Sequence, residues 1–231
     1  MKYQKVIPAK FLERPNRFIA HVEIEGQIEI AHVKNTGRCR ELLVPDSTVY
    51  LFCADNPTRK TKYDLIAVEK KCADGQIRLI NMDSQVVNDV AQEWLPHCGL
   101  FSSSAIIRRE VFYGASRFDF YVEDGERRAF VEVKGVTLES QGEACFPDAP
   151  TERGVKHIRE LMECVKNGYE AYILFVVQMK GIRVVRPNDV MHQAFGDALR
   201  DAAQSGVHVL AVDCEVTSDS IIASLPVTVE L

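Results

Sequence analysis

Three side chains in residues 117–134 have types and spacing that could do chemistry: Asp119, Glu132 and Lys134, in R-F-D-F-Y-V-E-D-G-E-R-R-A-F-V-E-V-K. Two carboxylates held close together repel unless a cation sits between them. Hard oxygen ligands with room for water suit Mg²⁺ or Mn²⁺. A lysine two residues from a metal-bound carboxylate can orient or deprotonate an attacking water, or steady charge developing on a phosphorus centre.

The stretch itself predicts how these groups meet. Phe118, Phe120 and Val122 alternate with Asp119, Tyr121 and Glu123, and Ala129, Val131 and Val133 alternate with Phe130, Glu132 and Lys134, which is the period of a strand. Asp124-Gly125-Glu126-Arg127 is turn chemistry between the two runs. A two-residue loop at Gly125-Glu126, or a four-residue loop over 124–127, pairs Glu123 with Arg128. Asp119 then stands opposite Glu132, with Lys134 on the same face. Two other outcomes stay open. Alternating charge is also what any half-exposed strand shows, and a bulge would turn Asp119 to the other face.

Residues 172–177 form a continuous apolar run expected at the centre of a covered sheet. Helices are expected over 151–167, started by Pro150-Thr151 and stopped by Gly168, and over 188–204, capped by Asn188 and ended by Gly206. In the first of these, Val155, Ile158, Met162 and Val165 make the buried stripe; Arg153, Lys156, His157 and Glu160 fall opposite, where a charged solvent face is the ordinary reading. Strands are expected over 182–186, 207–212 and 221–231, and residues 139–150 read as a loop. The order fits an α/β sheet covered on both faces. Residues 84–95 read as a linking helix capped by Ser84 and ended by Pro96.

Upstream, short strands over 18–24, 27–33, 48–54, 63–71 and 76–80, with Ala73-Asp74-Gly75 as a hairpin turn, suggest a small OB-like barrel. Lys34, Arg38 and Arg40 lie in the basic loop 34–41, from which they could reach a phosphate backbone; a solvated basic loop is the alternative. The run 59–62 reads equally as plain linker.

Hydrophobic content of 46% suits a folded globular chain, and no apolar run is long enough to span a bilayer. The seven cysteines form no C-x-x-C, and no apolar leader is visible, so reduced thiols in a cytoplasm are expected. Net charge is −5 but uneven. Residues 1–83 carry 14 basic against 11 acidic side chains, and the remainder 14 against 22. A phosphate loop, G-x-S-x-G, H-E-x-x-H and an evident helix-turn-helix are all missing, so no instrument for reading base sequence is visible.

Asp119 followed by Glu132-Val133-Lys134 resembles the D-(x)n-E-x-K centre of the PD-(D/E)xK nucleases, although Phe118 stands where that pattern often has proline. The wider segments S-R-F-D-F, F-V-E-V-K-G-V-T-L, F-P-D-A-P-T-E-R-G-V-K-H and N-T-G-R-C-R-E-L-L resemble the sugar fermentation stimulation protein A (SfsA) family. That resemblance implies an N-terminal OB-like DNA-binding barrel over 1–83. It also implies a nuclease-like mixed sheet flanked by helices over 84–231, with linking helices in 84–110. It implies Mg or Mn at Asp119 and Glu132, with the Val133 carbonyl, and with Glu110 as a third acid, where a surface glutamate beside Arg108 and Arg109 is the competing reading. It also raises Arg153, Lys156 and His157 to DNA-contacting candidates. The expected partner is DNA, gripped through its phosphate backbone, with no membrane; a homodimer stays open. The expected activity is phosphodiester hydrolysis, or else a non-catalytic DNA-binding regulator on a nuclease fold, linked to sugar (maltose) catabolism.

Overall fold

The computed structural model describes residues 1–35, 37–55, 58–72 and 75–231. Thr36, Asn56, Pro57, Ala73 and Asp74 lie outside the described residues, and with them most of the expected turn at 73–75. In chain order the first strands are β1 (Val6–Asn16), β2 (Ile19–Ile24), β3 (Gln27–Val33), β4 (Thr48–Cys53), β5 (Tyr63–Lys71) and β6 (Ile77–Asn81). They run in the order β3-β2-β1-β4-β5-β6, and an additional parallel β3–β5 pairing closes the first five into an OB barrel. Its interior is filled by side chains such as Phe11, Val22, Val49, Leu51 and Leu65, each 2% exposed or less.

β1 has no counterpart among the expected strands, because Pro8 and Pro15 break its pattern. Pro8 pairs with Tyr50 of β4, while the pairing to β2 begins only at Lys10, so the missing N–H faces no partner strand. Register irregularities follow between Phe11 and Glu13 and between Glu13 and Asn16.

The second half contains α1 (Val86–Trp94), β7 (Ile106–Tyr113), β8 (Ser116–Asp124), β9 (Arg127–Val136), β10 (Glu139–Ser140), β11 (Glu143–Phe146), α2 (Glu152–Lys166), β12 (Glu170–Val177), β13 (Val184–Pro187), α3 (Asp189–Gln204), β14 (His208–Val216), β15 (Ile221–Pro226) and β16 (Thr228–Val229). Six strands form a mixed sheet in the order β15-β14-β12-β9-β8-β7, with β9, β12 and β14 parallel. α1 packs its Val86, Val87, Val90 and Ala91 on one face with Val131, Val133 and Leu174; α2 packs Val155, Ile158 and Leu161 with Phe130, Ile173 and Phe175 on the other. No helix among the described residues is long and apolar enough to cross a membrane.

Three expectations change. Residues 139–150 are not a plain loop: β10 and β11 belong to a second sheet, β10-β11-β13-β16, whose parallel partners are remote in sequence. Ser84 does not cap α1: the N-cap position is Gln85, which makes no side-chain capping bond, and the Ser84 hydroxyl donates instead to the carbonyl of Lys34. On α2, His157 lies on the buried side at 5% exposure, with Gly154, Leu161 and Cys164 on the same side.

Two polar ties fix the barrel against the second half. Gln178 Nε2 donates to Asn81 Oδ1 at 3.0 Å and to the Asp83 carbonyl at 2.9 Å. Lys70 and Arg78 reach the buried Glu139 carboxylate at 2.5 and 2.7 Å. Glu139 consequently ionises below the usual carboxylate range: burial opposes this, but Lys70 and neighbouring donors outweigh it.

Candidate functional site

The hairpin forms in the register that a two-residue loop dictates, with Asp124 paired to Arg127, Glu123 to Arg128 and Phe120 to Val131. Gly125 takes a φ of 62°, the left-handed conformation that such a turn asks for. The ladder stops at Phe120–Val131, one residue short of Asp119 and Glu132. There the regular alternation breaks. Phe120 and Val122 pack on the α1 face, but Phe118 packs on the α2 face with Phe130. On β7, Arg109 pairs with Phe120 and Val111 with Phe118, leaving between them Glu110 at a φ of 56°. The two strands change face together at this kink.

Because backbone pairing ends there, the Asp119 carboxylate takes the place of a ladder acceptor. Its Oδ2 accepts the Val133 N–H at 2.7 Å, and its Oδ1 accepts from Asn88 Nδ2 of α1 at 2.7 Å. Glu132 reaches the other way. Its Oε1 accepts from Lys134 Nζ and from His157 Nδ1 of α2, the latter at 2.5 Å. Arg153 Nε donates to His157 Nε2 at 3.4 Å, which leaves the ring proton on Nδ1 facing Glu132. Glu132 Oε2 is buried and has no hydrogen-bond partner among the described residues.

The two acids therefore bond to helices on opposite faces, yet they line one cleft at the end of the sheet. Its volume is about 490 Å³. Its walls also include Asn88 of α1, Asn35 and Gly37 of the barrel, Asp148, and Thr151 and Gly154 at the start of α2. Thr151 caps that helix, accepting from the Gly154 N–H at 3.1 Å, so the positive end of α2 opens on the cleft.

Burial and the charge of Glu132 push the Asp119 carboxyl above its ordinary range, against the pull of its hydrogen bonds and Lys134. Burial would raise Glu132 as well, but His157 and Lys134 outweigh it and hold that carboxyl low. Burial also raises Asp148. Two carboxyls of one cleft are thus driven apart in acidity by their surroundings.

The structure separates the other sequence candidates. Lys134 and Val133 line the cleft, as do Arg153 and His157. Glu110 is not among the lining residues; it is exposed and pairs with Arg117 at 3.4 Å, because its positive φ turns it out of the alternation. Lys156 points to solvent and pairs with Glu160 at 3.7 Å. Lys34 is only 20% exposed and lies between Asp64 and Asp83, at 3.3 and 3.2 Å, so its charge is neutralised inside the protein rather than offered from a loop. Arg38 and Arg40 are exposed and line a separate groove next to the cleft.

Sequence reasoning missed Asn88, Asp148 and Gln178. Asn88 stands beside the apolar stripe of α1, and Asp148 lies in the quoted F-P-D-A-P segment. Gly37 approaches Asp148 so closely that a Cβ there would lie 1.7 Å from its Oδ2, so any larger residue would have to displace the Asp148 carboxylate.

A donor set of two carboxylates can be tested against a cation. Among the described residues, no three His, Cys, Asp or Glu side chains gather as a metal cage. Zinc sites need such a cage; Mg²⁺ and Mn²⁺ do with one or two carboxylates and complete their shells with water and substrate oxygens. The unpartnered, buried Glu132 Oε2 is the atom such a cation would satisfy. The residues present fit a hard divalent ion.

Comparison with known proteins agrees with this architecture. Residues 12–80 match the family model described as the SfsA N-terminal OB domain, and residues 85–220 match the sugar fermentation stimulation protein RE domain. A sugar fermentation stimulation protein homolog of Desulfitobacterium hafniense (strain DSM 10664 / DCB-2) is 60% identical over 231 residues, covering 100% of this chain and 99% of that protein. A homolog of the same name from Clostridium beijerinckii is 55% identical, covering 96% of each. A solved structure of Pyrococcus furiosus SfsA in complex with Ca²⁺ superimposes with a TM-score of 0.84 at 28% identity, covering 100% of this chain and 98% of that one.

Proposed function

The chain belongs to the SfsA family, and from that membership and the cleft we propose that it is a DNA-binding protein with a divalent-metal-dependent phosphodiesterase centre. The observation that carries the proposal is the unsatisfied Glu132 Oε2, buried in a cleft that Asp119 and Lys134 share. The Ca²⁺ named for the Pyrococcus furiosus protein supports the reading, since Ca²⁺ and Mg²⁺ use the same class of oxygen ligand.

Asp119 and Glu132 would hold the ion, with the Val133 carbonyl as a further oxygen. When bound, a hard divalent ion supplies Lewis acidity to a phosphoryl oxygen and lowers the pKa of a coordinated water. The protein's own groups do the remaining work. His157 and Asn88 fix the two carboxylates, each through a donated hydrogen bond. The Lys134 ammonium, held at Glu132 Oε1, orients the attacking water and faces the charge that develops on phosphorus. Arg153 at the cleft wall and the N-terminal end of α2 receive the phosphate. The contacts are to backbone phosphate, so cleavage is largely indifferent to sequence.

Supercoiled plasmid incubated with the pure protein and Mg²⁺ or Mn²⁺ tests this. Nicking by the wild type, lost in Lys134→Ala, is the expected result. Absence of scission with both metals, on that plasmid and on a single-stranded oligonucleotide alike, would leave the second reading: a DNA-binding regulator on a nuclease-like fold, in which the Glu132–Lys134–His157 contacts are structural. The name borne by the relatives attaches the family to sugar metabolism, and we propose the same physiological setting for this chain.

A further inference from the structure

Beside the carboxylate cleft, and sharing Gly37 and Ala149 with it, lies a groove of about 420 Å³ lined by Arg14, Arg17, Arg38 and Arg40. Among the described residues, no acidic side chain lines it. Arg17, Arg38 and Arg40 have no carboxylate within ion-pair distance among the described residues, in a protein whose net charge is −5 and whose basic side chains are mostly paired.

The groove is rigidly built. Arg14 donates from Nη1 to the carbonyls of Gly37 and Arg38, at 2.9 and 2.8 Å, and from Nη2 to those of Arg17 and Asn35, both at 2.7 Å. One guanidinium thereby staples the β1–β2 turn to the loop that enters the cleft. At that turn, Asn16 Oδ1 accepts the N–H groups of Phe18 and Ile19 at 2.9 and 3.1 Å. The Phe18 backbone is pinned while its ring is 50% exposed, with the Arg17 guanidinium 5.6 Å from the ring centroid.

Free guanidiniums attract phosphates, and any backbone would satisfy them. The exposed aromatic ring asks for more. It offers a stacking face, and a base presents its own face only when it is out of a duplex. We propose that the substrate is single-stranded polynucleotide: its phosphates lie along Arg17, Arg38 and Arg40, one base stacks on Phe18, and the strand continues past Gly37 and Ala149 to the carboxylates. This deepens the proposed activity and rests on it only for the final cleavage step.

The test measures binding in EDTA, where hydrolysis cannot intervene. Fluorescence anisotropy with a labelled oligo(dT) and a duplex of equal length is expected to give at least tenfold tighter binding to the single strand. Phe18→Ala is expected to weaken single-strand binding about tenfold, with duplex binding unchanged, and Phe18→Tyr to restore it. Equal or tighter binding of the duplex, or single-strand binding indifferent to Phe18→Ala, would overturn the proposal. If Phe18-dependent binding is found but no metal cleaves the strand, this inference stands and the hydrolytic reading alone fails.

Discussion

Glu132→Gln is expected to cut metal-dependent cleavage about a thousandfold, or ~4 kcal/mol of barrier, while the protein stays folded. The substitution keeps the shape of the side chain. Its carbonyl oxygen can still accept from His157 Nδ1 and Lys134 Nζ, the two contacts that Glu132 Oε1 makes now. The amide nitrogen then occupies the position of the unpartnered Oε2, presenting a donor where a cation needs a lone pair. One negative charge leaves the site as well, and the Asp119 carboxyl, raised by burial and by Glu132, relaxes toward its ordinary range. Single-turnover cleavage, read beside a thermal unfolding curve, separates lost chemistry from lost fold. Wild-type cleavage in the variant would make Glu132 a structural carboxylate.

The largest stability effect is expected at Asp64, which does not line the cleft. Its side chain is 1% exposed and gathers Arg59 at 2.5 Å, Lys34 at 3.3 Å and His32 at 3.3 Å. Asp64→Ala leaves Arg59 and Lys34 half-buried without this counter-charge, and we expect a loss of about 3–5 kcal/mol in urea unfolding, a large part of a typical total. The sign of its pH dependence follows from the direction of the shift. Burial opposes ionisation of Asp64, but Arg59 and Lys34 hold the folded carboxyl below the unfolded one. Its contribution is therefore complete above about pH 5 and is lost as pH falls through the unfolded and then the folded pKa. Asp119 and Asp148, both raised, work in the opposite sense and destabilise the fold above the carboxylate range. The variant should lose less stability than the wild type between about pH 5 and pH 3. An unchanged acid slope would mean that Asp64 is not the group responsible.

What could be read from the chain follows from how local each signal is. The hairpin was legible because alternation and Gly125 act over neighbouring residues, and they fix the register without outside help. Where the register ends, at Asp119, local alternation stops informing: the shared kink with Glu110 depends on a second strand. The charged residues flanking His157 read as a solvent face, whereas Leu161 and Cys164, four and seven positions on, signal that it faces inward. Lys34 looked like a loop charge because its partners Asp64 and Asp83 are remote in sequence. β1 was hidden by two prolines that the barrel accommodates, and β10 and β11 by strands too short to show a period. The family resemblance covered both halves, while the roles of Asn88 and Asp148 come only from the helix and loop that close the cleft.

The central claim is that Asp119 and Glu132 together capture a divalent ion. Crystals soaked in Mn²⁺ and measured near the manganese absorption edge test it directly. The account predicts an anomalous peak within coordination distance of an Asp119 carboxylate oxygen and Glu132 Oε2. No peak there, with Lys134 and His157 still closed on Glu132, would contradict it.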